Sequence, residues 1–340
     1  MNSVAIVILN WNGRKYLEQF LPYVITHSQN AEIVIADNNS TDDSLSFLRL
    51  HYPSLRVIRI SKNEGYSKGY NIALKQIEAE YYVLLNSDIE VTENWIEPVI
   101  AFMRANPDVA ACQPKILSYH NRNAFEYAGA CGGFIDYLGY PFCRGRIFNT
   151  LENDCGQYDK CLQIFWATGA CMFVRAAAFH EVNGFDDDYF AHMEEIDLCW
   201  RLQHRGYKIF CIPQSRIYHI GGGTLNKLSP QKTYLNFRNS LYALYKNIES
   251  RYLFVIIFLR LCLDGVAGIK FLFTDSYKHS FAVVRAHLSF YRNVRKLHKQ
   301  RVELKKKKKS CSLGLFQGSI VFHYFILGKK KYSDIFKNRS

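Results

Sequence analysis

Three signatures are missing from this chain. None of its ten cysteines forms a Cys-x-x-Cys pair, which removes the short-spaced zinc sites. No Gly-x-Gly-x-x-Gly opens a helix, which removes the dinucleotide fingerprint. The most apolar stretch, residues 252–273, is broken by Arg260, Asp264 and Lys270. Its longest uncharged run, Tyr252 to Leu259, is far short of the roughly 20 residues of a spanning helix. No internal repeat occurs, and Lys305–Lys309 is the one low-complexity piece. The start, with a strand-like run at Val4–Leu9, has neither a basic leader region nor a cleavage motif, so no signal peptide is expected. Cys131, Cys143, Cys155 and Cys161 come nearest to a cluster, and reduced thiols of a cytosolic protein are the expected reading.

What is present divides the chain unevenly. The net charge is +13 over 340 residues. From Arg251 onward there are 20 Lys and Arg against 4 Asp and Glu, or +16, so the first 250 residues carry −3. That is an enzyme-like body with a basic appendage rather than a nucleic-acid binder.

The body alternates short apolar runs with helical patterns. Strands are expected at Val4–Leu9, Glu32–Asp37, Arg56–Ile60, Tyr81–Leu85, Val109–Lys115, Cys171–Val174 and Tyr207–Ile212. Helices are expected at Lys15–His27, Asp42–Leu50 with Ser40 or Thr41 as cap, Ser67–Glu78, Glu93–Ala105, Arg175–Asn183 and Glu194–Arg205. This rhythm predicts an α/β fold with a mostly parallel sheet flanked by helices. Residues 116–164 read as irregular loops or a small hairpin region. Ligands of such folds sit beyond the carboxyl ends of the strands, and the chemistry-bearing residues follow the strands here.

Five clusters stand out. Asp37-Asn38-Asn39-Ser40 offers a carboxylate for a ribose or a base N–H, or simply a solvated turn. Asn63-Glu64-Gly65, running on to Asn71, joins a strand to a helix N-terminus suited to phosphate, or is a plain turn. Asn86-Ser87-Asp88 sets a carboxylate past an apolar strand, where a hard divalent cation bridging a diphosphate finds an oxygen ligand. Glu194-Glu195-Ile196-Asp197 opens a helix. Asp197 stands four residues before Arg201, a spacing for a structural ion pair. Glu195 points elsewhere and is the candidate general base. His219, before Gly221-Gly222-Gly223-Thr224, is a candidate metal ligand on a flexible loop.

In this order the motifs resemble the family 2 glycosyltransferases with a GT-A type fold, over residues 3 to about 240. The run Val7-Ile8-Leu9-Asn10-Trp11-Asn12-Gly13, with Asp37 and Asn63-Glu64-Gly65, resembles the family's nucleotide-binding side. The resemblance thus implies Asn10, Asn12, Asp37, Asn63, Gly65 and Asn71 as nucleotide contacts. Asn86-Ser87-Asp88 resembles the D-x-D metal motif with its first Asp replaced by Asn, leaving Asp88, with His219, for a Mg2+ or Mn2+ ion. Glu194-Glu195-x-Asp197-Leu198 resembles the E-D-x-D-L element, with Glu195 in the place of the catalytic base. The segment through Ala167-Thr168-Gly169 resembles the floor of the sugar and acceptor sites, implying Trp166, Gly169, Glu194 and Asp197 as its lining. Gln203-His204-Arg205-Gly206 lacks the Q-x-x-R-W element of processive members.

The resemblance is nearest to bacterial rhamnosyltransferase-like enzymes of surface polysaccharide synthesis. It implies inverting transfer of one sugar, with dTDP-rhamnose a candidate donor, to a lipid-linked glycan. A sugar-phosphate nucleotidyltransferase is the rival enzyme, although Asn10-Trp11-Asn12-Gly13-Arg14-Lys15 makes a poor triphosphate loop. A non-catalytic sugar-binding protein at the membrane is the rival outside enzymes. The expected organisation is a catalytic region at 1–240, with a nucleotide-binding half at 1–115 and an acceptor half at 116–240, and a helical, basic region at 241–340. Basic clusters beside apolar helical stretches predict attachment to an anionic membrane surface, on its cytoplasmic side, without spanning it. No nucleic-acid reader motif accompanies them.

Overall fold

The computed structural model describes residues 3–221, 229–274, 276–309 and 314–336. From the N-terminus the elements are β1 (Val4–Asn10), α1 (Arg14–His27), β2 (Glu32–Asp37), α2 (Ser44–His51), β3 (Arg56–Arg59), α3 (Gly65–Leu74), β4 (Tyr81–Leu85), β5 (Ile89–Val91), α4 (Glu97–Ala105) and β6 (Val109–Ser118). Short strands β7 (Gly133–Ile135), β8 (Pro141–Cys143), β9 (Arg146–Ile147), β10 (Thr150–Leu151) and β11 (Leu162–Ile164) precede β12 (Cys171–Arg175), α5 (Ala176–Glu181), α6 (Glu194–His204) and β13 (Lys208–His219). Helices α7 (Pro230–Asn247), α8 (Leu253–Thr274), α9 (Tyr277–Lys306) and α10 (Tyr332–Ile335) follow, with a π-helical turn at Phe322–Ile326 before α10.

One sheet runs β11-β13-β6-β12-β4-β1-β2-β3, with β5 paired to β13. β1, β2, β3, β4, β6 and β13 share a direction, and β5, β11 and β12 oppose them. Inner strands such as β4 (Tyr-Tyr-Val-Leu-Leu) are buried along their whole length because helices cover both faces. β3 lies at the edge, and there Arg56 and Arg59 reach solvent. The antiparallel insertion of β12 beside β4 pairs Cys171 with Leu85. That register brings Ala170 to Asn86, whose N–H donates to the Ala170 carbonyl at 2.9 Å.

Two local expectations change. Ser40 and Thr41 do not cap α2, which starts at Ser44; both side chains are drawn to the β1 loop instead. β13 does not stop at Ile212. Pro213 interrupts the ladder with a register shift between Ile212 and Arg216, and pairing then resumes through His219. A proline cannot donate to a ladder, so the sequence reads as a strand end where the structure has only an irregularity. Residues 116–164 hold the end of β6, β11 and a four-stranded antiparallel sheet, β10-β9-β8-β7. Its strands of two or three residues are too short to show alternation. None of the nine described cysteines is in a disulfide.

The C-terminal helices cover the body. Tyr245 packs edge-on against Phe290, and Arg301 on α9 donates to the Tyr245 carbonyl at 2.7 Å. Further on, Phe336 stacks on Phe142, and the Ile320 N–H donates to Asp136 at 2.9 Å, closing the small sheet. A chain ending at Ser250 strips these residues from α7 and the small sheet, and it is expected to lose cooperative unfolding and aggregate. A sharp single thermal transition in the 1–250 chain, at the full-length temperature, would contradict this.

Candidate active site

The carboxyl ends of β1, β2 and β3 are tied by a mesh of short polar side chains. Asn10 donates to Asp37 at 3.2 Å and to Ser40 at 3.0 Å. The Ser40 N–H donates back to Asp37 at 3.1 Å. Asn12, with a positive φ of 52°, accepts from the Thr41 N–H at 2.7 Å. Asn38 donates to Asn63 at 3.1 Å and accepts from the Glu64 N–H at 3.0 Å, while Asn63 takes the Gly65 N–H at 2.9 Å. Gly65 has φ +76°, and a Cβ there would lie 2.4 Å from the Phe190 carbonyl, so only glycine lets the two loops meet. Within this mesh Asn10 Oδ1 is buried with no partner among the described residues, an acceptor whose desolvation none of them offsets.

Asn71 stands apart from the mesh. Its amide donates to the Phe185 carbonyl at 2.9 Å and to Asp187 at 2.7 Å, and its oxygen accepts the Phe185 N–H at 3.0 Å. It braces the 185–187 turn rather than facing the strand ends.

Past β4, Asp88 is buried, and its Oδ1 is 3.1 Å from His219 Nε2. His219 is the last residue of β13 and pairs with Ile89 of β5. It is therefore buried in the sheet, not on a flexible loop as its sequence context suggests. Gly222, Gly223 and Thr224 lie outside the described residues. On the far side of the ring, Nδ1 is 3.1 Å from Glu126 Oε2, a residue that no sequence motif marked. Burial alone would lower the imidazole pKa, but Asp88 and Glu126 outweigh it and hold His219 up at about 10. Burial would raise Glu126, but His219 and the Ala128 and Tyr127 N–H groups together hold it below its ordinary value. A Cβ at Gly221, whose φ is +73°, would sit 2.3 Å from Glu126 Oε1, so the glycine shields this carboxylate closely.

The third part is the start of α6. His192 and Met193 both have left-handed backbone, φ 70° and 71°, a costly conformation for non-glycine residues. Asn239 on α7, fully buried, holds the turn by donating to the Ala191 and His192 carbonyls at 2.9 and 2.7 Å. Glu194 is buried and Glu195 half-buried, and one oxygen of each carboxylate is shielded from water without a hydrogen-bond partner. Burial first, then Glu195, pushes Glu194 well up; burial pushes Glu195 up to about 7. Asp197 takes the opposite role. It binds Arg201 at 2.7 Å, Lys246 at 2.9 Å and Asn247 at 2.9 Å. Burial raises its pKa, but Lys246 and Arg201 win and hold it far below the usual carboxylate range. Its side chain is thus spent on joining α6 to α7.

Between these parts lies the 166–170 segment. Gly169 accepts from the Tyr66 hydroxyl at 2.6 Å, and a Cβ there would meet that oxygen at 2.6 Å. Tyr66 is raised well above its ordinary pKa by burial, then by Tyr70, Glu194 and Glu195, so Gly169 and the α6 carboxylates border one region. Trp166 is buried and donates to the Phe134 carbonyl at 2.9 Å, supporting β7 from below.

Residues 3–182 match the family described as Glycosyl transferase family 2. The chain is 24% identical over 235 residues to the N-acetylglucosaminyl-diphospho-decaprenol L-rhamnosyltransferase of Mycobacterium tuberculosis, covering 64% of this chain and 75% of the relative. Among solved structures it resembles S. aureus TarS 1–349 in complex with UDP-GlcNAc, with TM-score 0.57, 15% identity and coverage of 90% and 88%. It also resembles the mannosyltransferase PcManGT from Pyrobaculum calidifontis in complex with GDP-Man and Mn2+, with TM-score 0.51, 14% identity and coverage of 90% and 85%.

The two carboxylates of α6 are expected to differ in what they do for stability. Asp197→Ala leaves Arg201 buried without its counter-charge and Lys246 with Asp186 alone, and is expected to cost about 3–5 kcal/mol, read as a fall in the urea midpoint. Glu195→Gln is expected to be neutral at pH 4 and below and stabilising at pH 8. A raised carboxyl stabilises the fold fully below its ordinary range and loses that contribution as pH rises through about 7; a glutamine has no charge to desolvate. A destabilised Glu195→Gln protein at pH 8 would overturn the assignment.

Proposed function

We infer the function from one premise: this chain belongs to glycosyl transferase family 2 and has the GT-A type fold. It transfers a sugar from a nucleotide-sugar in glycan synthesis. We read the reaction as inverting, with a single hexose or deoxyhexose moved from a nucleotide-diphosphate donor to a hydroxyl of a growing, lipid-linked surface glycan. A rhamnosyl donor such as dTDP-rhamnose follows the M. tuberculosis relative. The unpartnered Asn10 Oδ1 suits the imide N–H of a thymine or uracil base. The working place is the inner face of the cell membrane, where a peripheral enzyme meets a lipid-linked acceptor.

A divalent cation fits the residues present. Adjacent ligands of an octahedral Mg2+ at about 2.1 Å stand roughly 3 Å apart, and Asp88 Oδ1 and His219 Nε2 are 3.1 Å apart. Glu126 on the far nitrogen is the carboxylate partner that metal-bound histidines commonly have. No group of three or more His, Cys, Asp or Glu among the described residues is arranged to cage an ion. A cation bound beside a diphosphate would need few protein ligands, and two are present. Asp88 and His219 would hold Mg2+ or Mn2+, which supplies neutralising charge for the departing diphosphate.

The residues of the chain perform the rest. The acceptor oxygen forms its bond to the anomeric carbon as the carbon–diphosphate bond breaks, and its proton passes to Glu195. The observation that carries this role is a half-buried carboxylate, short of a hydrogen-bond partner, on a strained turn at a helix start. Its raised pKa suits a base working near neutrality. The Asn10–Asp37–Asn63 mesh holds the nucleotide, and Tyr66 with Gly169 forms the wall beside the sugar.

Glu195→Gln is expected to lower kcat by about 10²–10⁴-fold with donor affinity unchanged. The limb of activity that rises with pH through about 7 is expected to vanish, because the base acts only when deprotonated. Asp88→Ala is expected to abolish metal-stimulated turnover. Full activity in excess EDTA would remove the metal from the account. A folded Asp197→Asn protein more impaired in kcat than Glu195→Gln would reverse the roles of the two carboxylates.

A further inference from the structure

Of the three charges that interrupt the apolar stretch of α8, Lys270 is exposed, but Arg260 and Asp264 do not face outward. Arg260 and Asp264 are buried, paired at 2.8 Å, with Arg260 also donating to the Leu138 carbonyl and Ser240, and the Tyr140 hydroxyl donating to Asp264. The pair ties α8 to α7 and to the loop after β7. With this pair turned inward, the outer side of α8 is left apolar. Phe254, Val255, Phe258, Val266, Ile269 and Phe273 are exposed there, Phe254 at 80% and Phe273 at 85%. Their spacing of one, three, four or eight residues puts them on a continuous stripe.

The neighbouring helix extends the surface. On α9, Tyr277, Phe281, Val284, Leu288 and Tyr291 are exposed at helical spacing. The two helices meet closely, with Ser280 donating to the Gly268 carbonyl at 2.7 Å. Phe325, in the turn before α10, lies with its ring 5.4 Å from Lys270 Nζ and brings exposed Phe322 and Ile326 to the same side. Soluble monomers rarely leave a contiguous apolar patch of this size uncovered.

Its rim is cationic. Between Arg251 and Val302 the sequence has ten Lys and Arg and two acidic residues. Of these two, Asp264 is buried and Asp275 lies outside the described residues. Lys278, Arg285, Arg292 and Arg295 are exposed beside the α9 stripe. A protein partner is not required by any of this, whereas an apolar stripe fringed by cations matches an anionic bilayer, with acyl chains under the stripe and phosphates at the rim. No helix among the described residues is long and apolar enough to cross a membrane.

We propose that the outer faces of α8 and the first half of α9 form a seat that lies in the interface of an anionic lipid bilayer, side by side and without crossing it. The proposal deepens the reading of a lipid-linked acceptor but needs none of its chemistry. The seat lies close to the candidate active site: Lys296 of α9 and Arg238 of α7 hold Asp188, at 2.5 Å to its side chain and 3.0 Å to its carbonyl, four residues before the strained turn.

The test uses the full-length protein and vesicles of phosphatidylcholine with or without phosphatidylglycerol. Wild type is expected to co-sediment with phosphatidylglycerol vesicles and to be only partly released by high salt. The triple variant Phe254→Ser, Phe258→Ser, Phe273→Ser changes exposed side chains only. It is expected to bind about tenfold or more weaker and to be fully released by salt, since burial of apolar area drives the salt-resistant part. Arg285→Gln with Arg292→Gln and Arg295→Gln is expected to lose the preference for phosphatidylglycerol. Donor hydrolysis in solution is expected to stay at the wild-type level in both variants, which separates this seat from the transfer chemistry. Absence of vesicle binding by wild type, or equal binding by the phenylalanine variant, sinks the proposal. So does a wild-type dimer that the phenylalanine variant converts to monomer while vesicles are ignored, because the face is then a contact between copies.

Discussion

Asn239 spends both amide hydrogens on the carbonyls of Ala191 and His192, and the chemistry proposed for this protein depends on that clamp. Two successive left-handed residues would relax toward ordinary backbone if they were free to do so. Held in place, they start α6 where it delivers Glu194 and Glu195 beside Tyr66 and Gly169. One oxygen of each carboxylate is left buried without a hydrogen-bond partner, and burial outweighs the backbone N–H groups that draw the pKa values down. The strain and the desolvation are the cost of a basic carboxylate at neutral pH, and Asp197, two residues on from Glu195, supplies the opposing stabilisation. Its bonds to Lys246 and Asn247 lock α6 to α7, the same helix that carries Asn239, while its pair with Arg201 stays within α6. Base and anchor are two residues apart, on different sides of the helix, and have opposite electrostatic surroundings.

The same division of labour holds at Asp88. The β5–β13 pairing brings His219 across the sheet to the carboxylate, and Glu126 closes the far side of the ring. As the chain stands, two anions flank one imidazolium. Exchanging its proton for a cation requires proton release, so occupancy is expected to be pH-dependent. Gly221 matters here for what it lacks: a side chain would strike Glu126. The mesh proposed to hold the nucleotide, by contrast, is assembled from short polar side chains, Asp37 among them, that bond one another, and it leaves Asn10 Oδ1 buried without a partner among the described residues.

Much of this was legible in the sequence, because strands buried on both faces read as apolar runs and the loops after them carry the polar clusters. The Asp197–Arg201 pair follows from helical spacing alone, as does the freedom of Glu195. Contacts between residues distant in the chain were not legible. Glu126 sits in a segment without period, and only the fold sets it against His219. Asn239 looks like any polar residue of an amphipathic helix. Pro213 hides the continuation of β13, which is why His219 reads as a loop residue. Trp166 and Asn71 sit in the right motifs, yet their polar groups are engaged with Phe134 and with the 185–187 turn. Spacing identifies a segment; which side of it faces the ligand is decided by packing.

The central claim is that Glu195 and the Asp88–His219 pair flank one cleft holding a single donor. A crystal structure of the full chain with Mn2+ and an unreactive nucleotide-sugar analogue, with the metal located by its anomalous scattering, tests it most directly. The account predicts the anomalous peak in contact with Asp88 and His219, and the Glu195 carboxylate facing the anomeric carbon from the side opposite the diphosphate. A peak bound elsewhere, or a Glu195 side chain turned away from the sugar with Asp197 in its place, would contradict it.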